Sequence, residues 1–149
     1  MRISIVFTYN AQNRDVVKSW IQKAVGVGCR EIITVNEGDA PEIHYPHVIN
    51  INVTNPKKHH EPLAMAIGAH YAQGDAVILC RNGDSLTHDV LSKAGKAEHS
   101  YVPFHGICIC PRSSFPWRYD IDPGFKRGKA GDFFGLKWEI SDESAQPAF

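Results

Sequence analysis

Four short apolar runs, each ending in or leading to a polar turn, constrain this chain more than any other feature. Ile3-Ser4-Ile5-Val6-Phe7 runs into Thr8-Tyr9-Asn10, and Glu31 to Val35 runs into Asn36-Glu37-Gly38-Asp39. Val48 to Val53 follows a proline-bearing loop, and Ala76 to Cys80 stops at Arg81-Asn82-Gly83-Asp84. Short β-branched runs of this kind have the pattern of strands buried on both faces of a sheet. Between the first two, Val16, Val17, Trp20, Ile21, Ala24 and Val25 recur at helical spacing. Asn13 is suited to cap that helix and Gly26 and Gly28 to end it. A second helix is expected from His60 or Glu61 to about Gln73, with Pro62 in its first turn. Leu63, Ala66, Ile67 and His70 or Tyr71 form its apolar stripe.

The resulting β-α-β-β-α-β order predicts an α/β fold, a mostly parallel sheet flanked by helices. Ligands of such sheets bind outside the carboxyl ends of the strands. The candidate site therefore gathers Thr8-Tyr9-Asn10, Asn36-Glu37 and Asn82-Gly83-Asp84. Further along, Thr87 to Ala94 reads as a short helix and Tyr101 to Cys110 as one strand. Pro111 to Lys129, rich in Pro, Gly, Arg and aromatics, reads as a covering loop. Gly131-Asp132 is expected to open a helical stretch from Phe133 to Trp138. With no internal repeat and no linker, residues 1–140 are read as one domain and residues 141–149 as a polar, mobile tail.

Composition bounds the function. A chain of 149 residues suffices for one core. Its 43% hydrophobic and 21% charged residues and its net charge of +0 are those of an ordinary globular protein, with no basic excess to indicate nucleic acid. No apolar run reaches the roughly 20 residues that span a bilayer. The N-terminus reads as a strand and not a signal peptide, which makes a cytoplasmic location the expectation. The four cysteines, Cys29, Cys80, Cys108 and Cys110, include no C-x-x-C pair, so zinc-ribbon spacing is absent. Cys108 and Cys110 would face the same side of a strand. As a set the cysteines read as small apolar filler in a reducing compartment.

The strand-end motifs, taken in order, resemble those of GT-A fold glycosyltransferases of the family 2 type. That family opens with a strand ending in a T-Y-N-like triplet, as in Ile5-Val6-Phe7-Thr8-Tyr9-Asn10. Its acidic V-D-D-G-S turn corresponds to Val35-Asn36-Glu37-Gly38-Asp39. Its N-x-G, helix and A-x-G-D succession corresponds to Asn55 through Ala66 to Ala72-Gln73-Gly74-Asp75. Asn82-Gly83-Asp84 stands in the place of the D-x-D motif. Gly106 to Arg112, Tyr119-Asp120-Ile121-Asp122 and Gly131-Asp132 are similar to the later G-x-x-x-x-x-R strand, the acidic loop and the E-D pair. The likeness runs from Met1 to about Trp138.

The resemblance implies a GT-A-like domain that transfers a sugar, with inversion, from a nucleotide-diphospho-sugar to an acceptor it does not identify. It implies donor binding by Thr8, Tyr9, Asn10, Glu37, Lys58, Arg81 and Asn82. It also implies a divalent cation, manganese or magnesium, on Asp84, and Asp132 as general base. The departing diphosphate needs a cation or basic side chains, and the acceptor hydroxyl needs a nearby carboxylate. Three positions depart from the family: Asn82 replaces the first D-x-D aspartate, Asn36 precedes Glu37, and Gly131 stands where the pair has glutamate. These departures support an alternative, a catalytically impaired relative acting as a nucleotide- or partner-binding module. Plainer readings also exist. Asp84 can serve as a turn residue, Asp132 as a helix cap, Lys57-Lys58-His59-His60 as a solvated helix start, and His88 and His105 as structural residues. The aromatics Phe115, Trp117, Tyr119, Phe133, Phe134 and Trp138 fit either a sugar-stacking platform or a satellite cluster.

Overall fold

A computed structural model describes residues 2–38, 40–54, 61–114, 130–133 and 136–141. Its order is β1 (Ile3–Tyr9), α1 (Arg14–Gly26), β2 (Glu31–Asn36), β3 (Val48–Val53), α2 (Glu61–Tyr71), β4 (Ala76–Cys80) and α3 (His88–Gly95). Then follow β5 (Tyr101–Phe104), β6 (Ile107–Pro111), β7 (Ala130–Phe133) and β8 (Leu136–Ile140). The fold is α/β, a mixed sheet flanked by helices, in the order β5-β6-β4-β1-β2-β3-β8-β7. The pairs β1–β2, β1–β4 and β2–β3 are parallel. The pairs β4–β6, β5–β6, β3–β8 and β7–β8 are antiparallel. The sheet, expected to be mostly parallel, is thus parallel only at its centre, because the described strands beyond α3 all pair antiparallel with their neighbours.

Alternation along the central strands splits the core in two. Val6, Ile33, Val35, Ile49, Ile51 and Val53 face α2, whereas Ile5, Phe7, Tyr9, Ile32 and Val48 face the side of α1 and α3. Gly68 sets how closely α2 approaches the sheet: a Cβ there would lie 2.3 Å from Val6 Cγ1. A mid-helix glycine costs about 1 kcal/mol of helix propensity. Here it lets the helix axis settle on β1 and β2. The end of α2 is tied down by Glu31, which is 1% exposed. Its Oε1 accepts from Ser4 Oγ and from Gln73 N, each at 2.6 Å.

Four expectations are corrected. Val16 and Val25, counted in the buried stripe of α1, are 47% and 45% exposed, because Val17, Trp20, Ile21 and Ala24 already cover the sheet. The run from Tyr101 to Cys110 is a hairpin, turned at Gly106 with φ +85, a conformation glycine adopts without steric cost. Of the stretch expected to be helical from Phe133 to Trp138, Phe133 lies in strand β7 and Leu136 to Trp138 in strand β8. Its governing period is 2: Trp138 is buried while Lys137 and Glu139 are exposed. Asn13 precedes α1 but makes no side-chain cap bond to it. Among the described residues, no helix is long and apolar enough to cross a membrane.

Candidate functional site

The parallel strands end at Tyr9, Asn36, Val53 and Cys80, and the residues that follow the first two lock together. Asn10 Oδ1 accepts from Gln12 N at 2.9 Å and from Asn13 N at 3.1 Å. Asn13 Oδ1 in return accepts from Asn10 N at 2.8 Å. That reciprocal turn is where the capping side chain went. It leaves Asn10 Nδ2 to donate to Glu37 Oε2 at 3.2 Å. The backbone of Glu37 donates to Tyr9 O at 2.9 Å, so the β1 and β2 exits are joined twice. Gly38, at φ +107, donates to Asn36 Oδ1 at 2.9 Å and closes the second turn.

The β4 exit is built differently. Winding reverses between β1 and β4, the position at which α/β sheets open a ligand crevice when the two following segments leave on opposite faces. Here both leave on one face, since Leu86, Val90 and Ala94 share the core of α1. The 3-10 turn Gly83–Ser85 consequently lies against α1. A Cβ on Gly83 would stand 2.3 Å from Trp20 Cγ. Asp84 Oδ1 accepts from Trp20 Nε1 at 3.0 Å, and Lys23 Nζ donates to Asp84 O. Asn82 Oδ1 accepts from Asp84 N at 3.0 Å. Arg81 is exposed, and its backbone and that of Asn82 donate to Gly106 O.

The donors that this exit would offer the expected divalent cation are partly engaged within the protein. The Asn82 carbonyl oxygen that would be a ligand caps the turn, and one Asp84 oxygen holds the indole. Hard cations take six or more oxygens, from water and phosphate as well as from carboxylates. Among the described residues, no three His, Cys, Asp or Glu side chains gather as a metal site.

Other expected site residues are scattered. Tyr9 is fully buried, because odd-numbered β1 residues face the α1 side. Its hydroxyl donates to Asn50 Oδ1 at 2.7 Å and accepts from Ile43 N at 3.0 Å, so it presents no ring to a nucleotide. Burial pushes its pKa up to about 12, and nearby Glu42 adds to the rise. Thr8 is 7% exposed. Asp132 lies in β7, opposite Lys137 and not at a helix start. In the sheet order β7 stands five places from β4, roughly 24 Å at about 4.8 Å per strand. Lys58, the loop aromatics and the Tyr119–Asp122 segment lie outside the described residues.

Sequence reasoning missed a polar network beneath the β2–β3 connection. Thr34 Oγ1 and Tyr9 Oη both donate to Asn50 Oδ1, and Asn50 Nδ2 donates to Asn52 Oδ1 at 3.1 Å. Asn36 Nδ2 donates to the same Asn52 oxygen at 3.2 Å. Asn52 Nδ2 donates to Glu42 Oε1, and Ser141 Oγ donates to Glu42 Oε2 at 3.3 Å. A cleft of about 220 Å³ opens beside it, lined by His44, Tyr45, Asn50 and Ser141 among others. The signal was the alternation Asn50, Asn52 against Ile49, Ile51, which by itself indicates a solvent face. Compared with known proteins, the chain matches no family model and no curated protein sequence.

Proposed function

We propose that this chain is a GT-A-like protein that binds a nucleotide-diphospho-sugar, or its nucleotide alone, as a module stripped of metal-dependent transfer. The observation that carries this reading is the Asn10–Glu37 contact, which ties the exits of two adjacent parallel strands into one polar rim. A carboxylate at such a rim is placed to accept from ribose hydroxyls. Exposed Arg81 supplies a guanidinium for the diphosphate, and Lys58 is assigned the same work from the motif order alone. Catalysis is disfavoured by the internal use of Asn82 and Asp84 and by the lateral distance of β7.

Calorimetric titration with UDP, GDP and their hexose conjugates, with and without manganese, tests the reading. Binding in the micromolar to millimolar range, unchanged by manganese and at least tenfold weaker in Glu37→Gln, is the expected outcome. Failure to bind any nucleotide would sink it. Manganese-dependent release of the sugar would instead restore the transferase reading, which the order of the strand-end motifs and the exposure of Asp84 favour.

A further inference from the structure

Cys108 and Cys110 stand apart from the other two cysteines. Cys29 and Cys80 are buried on the α1 side, at opposite ends of the parallel strands β2 and β4, and Cys29 Sγ is spent on the Ile3 and Glu31 carbonyls. Cys108 and Cys110 share the α2 side of β6, with their sulfurs 3.5 Å apart. Cys110 is buried and Cys108 partly exposed, so the pair has a protein-facing and a solvent-facing end.

The ladder decides what chemistry the two can share. Cys108 pairs with Leu79 and Cys110 with Val77 in a regular antiparallel register. Residues two apart on a strand are separated by about 6.6 Å along it. A disulfide requires Cβ atoms about 3.5–4.5 Å apart, which this pleat forbids without breaking ladder bonds. A bridging ion needs no such collapse. With metal–sulfur bonds of about 2.3 Å, two thiolates 3.5 Å apart hold an ion at an angle near ~100°. Side-chain rotation alone opens the gap by about 1 Å to a linear arrangement.

We propose that Cys108 and Cys110 form a two-coordinate site for a soft monovalent metal ion, copper(I) in chemical class. Thiolates select such ions. Tetrahedral zinc would need two more ligands, and none joins the pair among the described residues. Both sulfurs lose their protons on binding, and the ion joins them in place of the present S–H···S contact.

The test is titration of the full chain with copper(I) under anaerobic conditions against a chromophoric copper(I) chelator. One equivalent should be withdrawn from the chelator, with an ultraviolet sulfur-to-copper absorption. Cys108→Ala and Cys110→Ala should each bind at least 100-fold more weakly, and Cys29→Ala should bind as the parent does. A second measurement needs no variant: copper(I) should protect the partly exposed Cys108 from iodoacetamide, read as one missing adduct on the peptide carrying the pair. Equal uptake by the parent and the double variant would overturn the site. So would conversion of the pair by glutathione disulfide into an internal disulfide, with two glutathiones released, in a chain that takes up no copper.

Discussion

The two faces of the central sheet are sealed in opposite ways. On the α2 side, closure is close and apolar save for buried Ser4 and Glu31 at the end of α2: Gly68 lets the helix meet Val6 and Val35, and Trp138 extends the layer, its indole donating to Tyr71 Oη at 2.9 Å. On the other side, α1 and α3 cover β1 and β4, but β2 reaches β3 through a loop with no helix. Under that loop the strands present Thr34, Asn36, Asn50 and Asn52, which bond to one another and to Tyr9 and Glu42. A helix buries an apolar stripe, whereas an irregular loop brings backbone groups that need partners. The polar strand residues supply them, as Tyr9 Oη does for Ile43 N. The difference teaches that this sheet can bury polar side chains wherever its covering element is irregular.

The largest effect should come from filling the tight face. Gly68→Val is expected to destabilise by about 3 kcal/mol or more, since its side chain would overlap Val6 with no open space to enter. Urea denaturation measures it, and a loss below 1 kcal/mol would mean that α2 sits loosely. Next, Asn50→Ala should cost about 2–3 kcal/mol, because it strands the Tyr9 and Thr34 hydroxyls in a buried setting. A neutral result in the same assay would show that water enters freely beneath the loop.

Alkaline titration sharpens the comparison, because raised pKa values occur on both faces. Burial lifts Cys29, Cys80 and Cys110 from 9.0 to about 12 and Tyr9 from 10.0 to about 12. The unfolded chain thus loses these protons first, so the stability they confer is whole below pH 9 and falls as pH rises towards 12. The Tm should decline steadily across that window, and Tyr9→Phe should flatten the part of the slope above pH 10. A Tm constant from pH 8 to 11 would contradict the burial of these groups. Smallest, Trp20→Phe should cost about 1 kcal/mol, since it removes one hydrogen bond to the exposed Asp84. A markedly larger loss, read from the same denaturation curves, would make the indole a main anchor of the β4 exit.

Much of the architecture was legible. The runs at Val48–Val53 and Ala76–Cys80 became β3 and β4 at those same bounds, and α1, α2 and α3 fall within a residue or two of where periodicity puts them. Local pattern suffices there because apolar runs between turn residues leave the chain few alternatives. It failed at Phe133–Trp138, where clustered aromatics hid the period-2 alternation of Leu136, Trp138 and Ile140, and at Gly106, where one glycine divides a continuous apolar run.

Of the candidate site, sequence order determined which residues would follow the ends of parallel strands. It determined nothing about where their side chains point. Tyr9 turns into the core, Asn82 and Asp84 are spent on their own turn and on Trp20, and Asp132 is carried to the far edge. Among the described residues, Asn10 and Glu37 meet as neighbours at the rim. The physical reason is that strand order and element type follow from short-range periodicity. The partner of each polar group is set by which distant segment packs over it, and that is fixed only when the sheet, its helices and the Glu37–His47 connection close together.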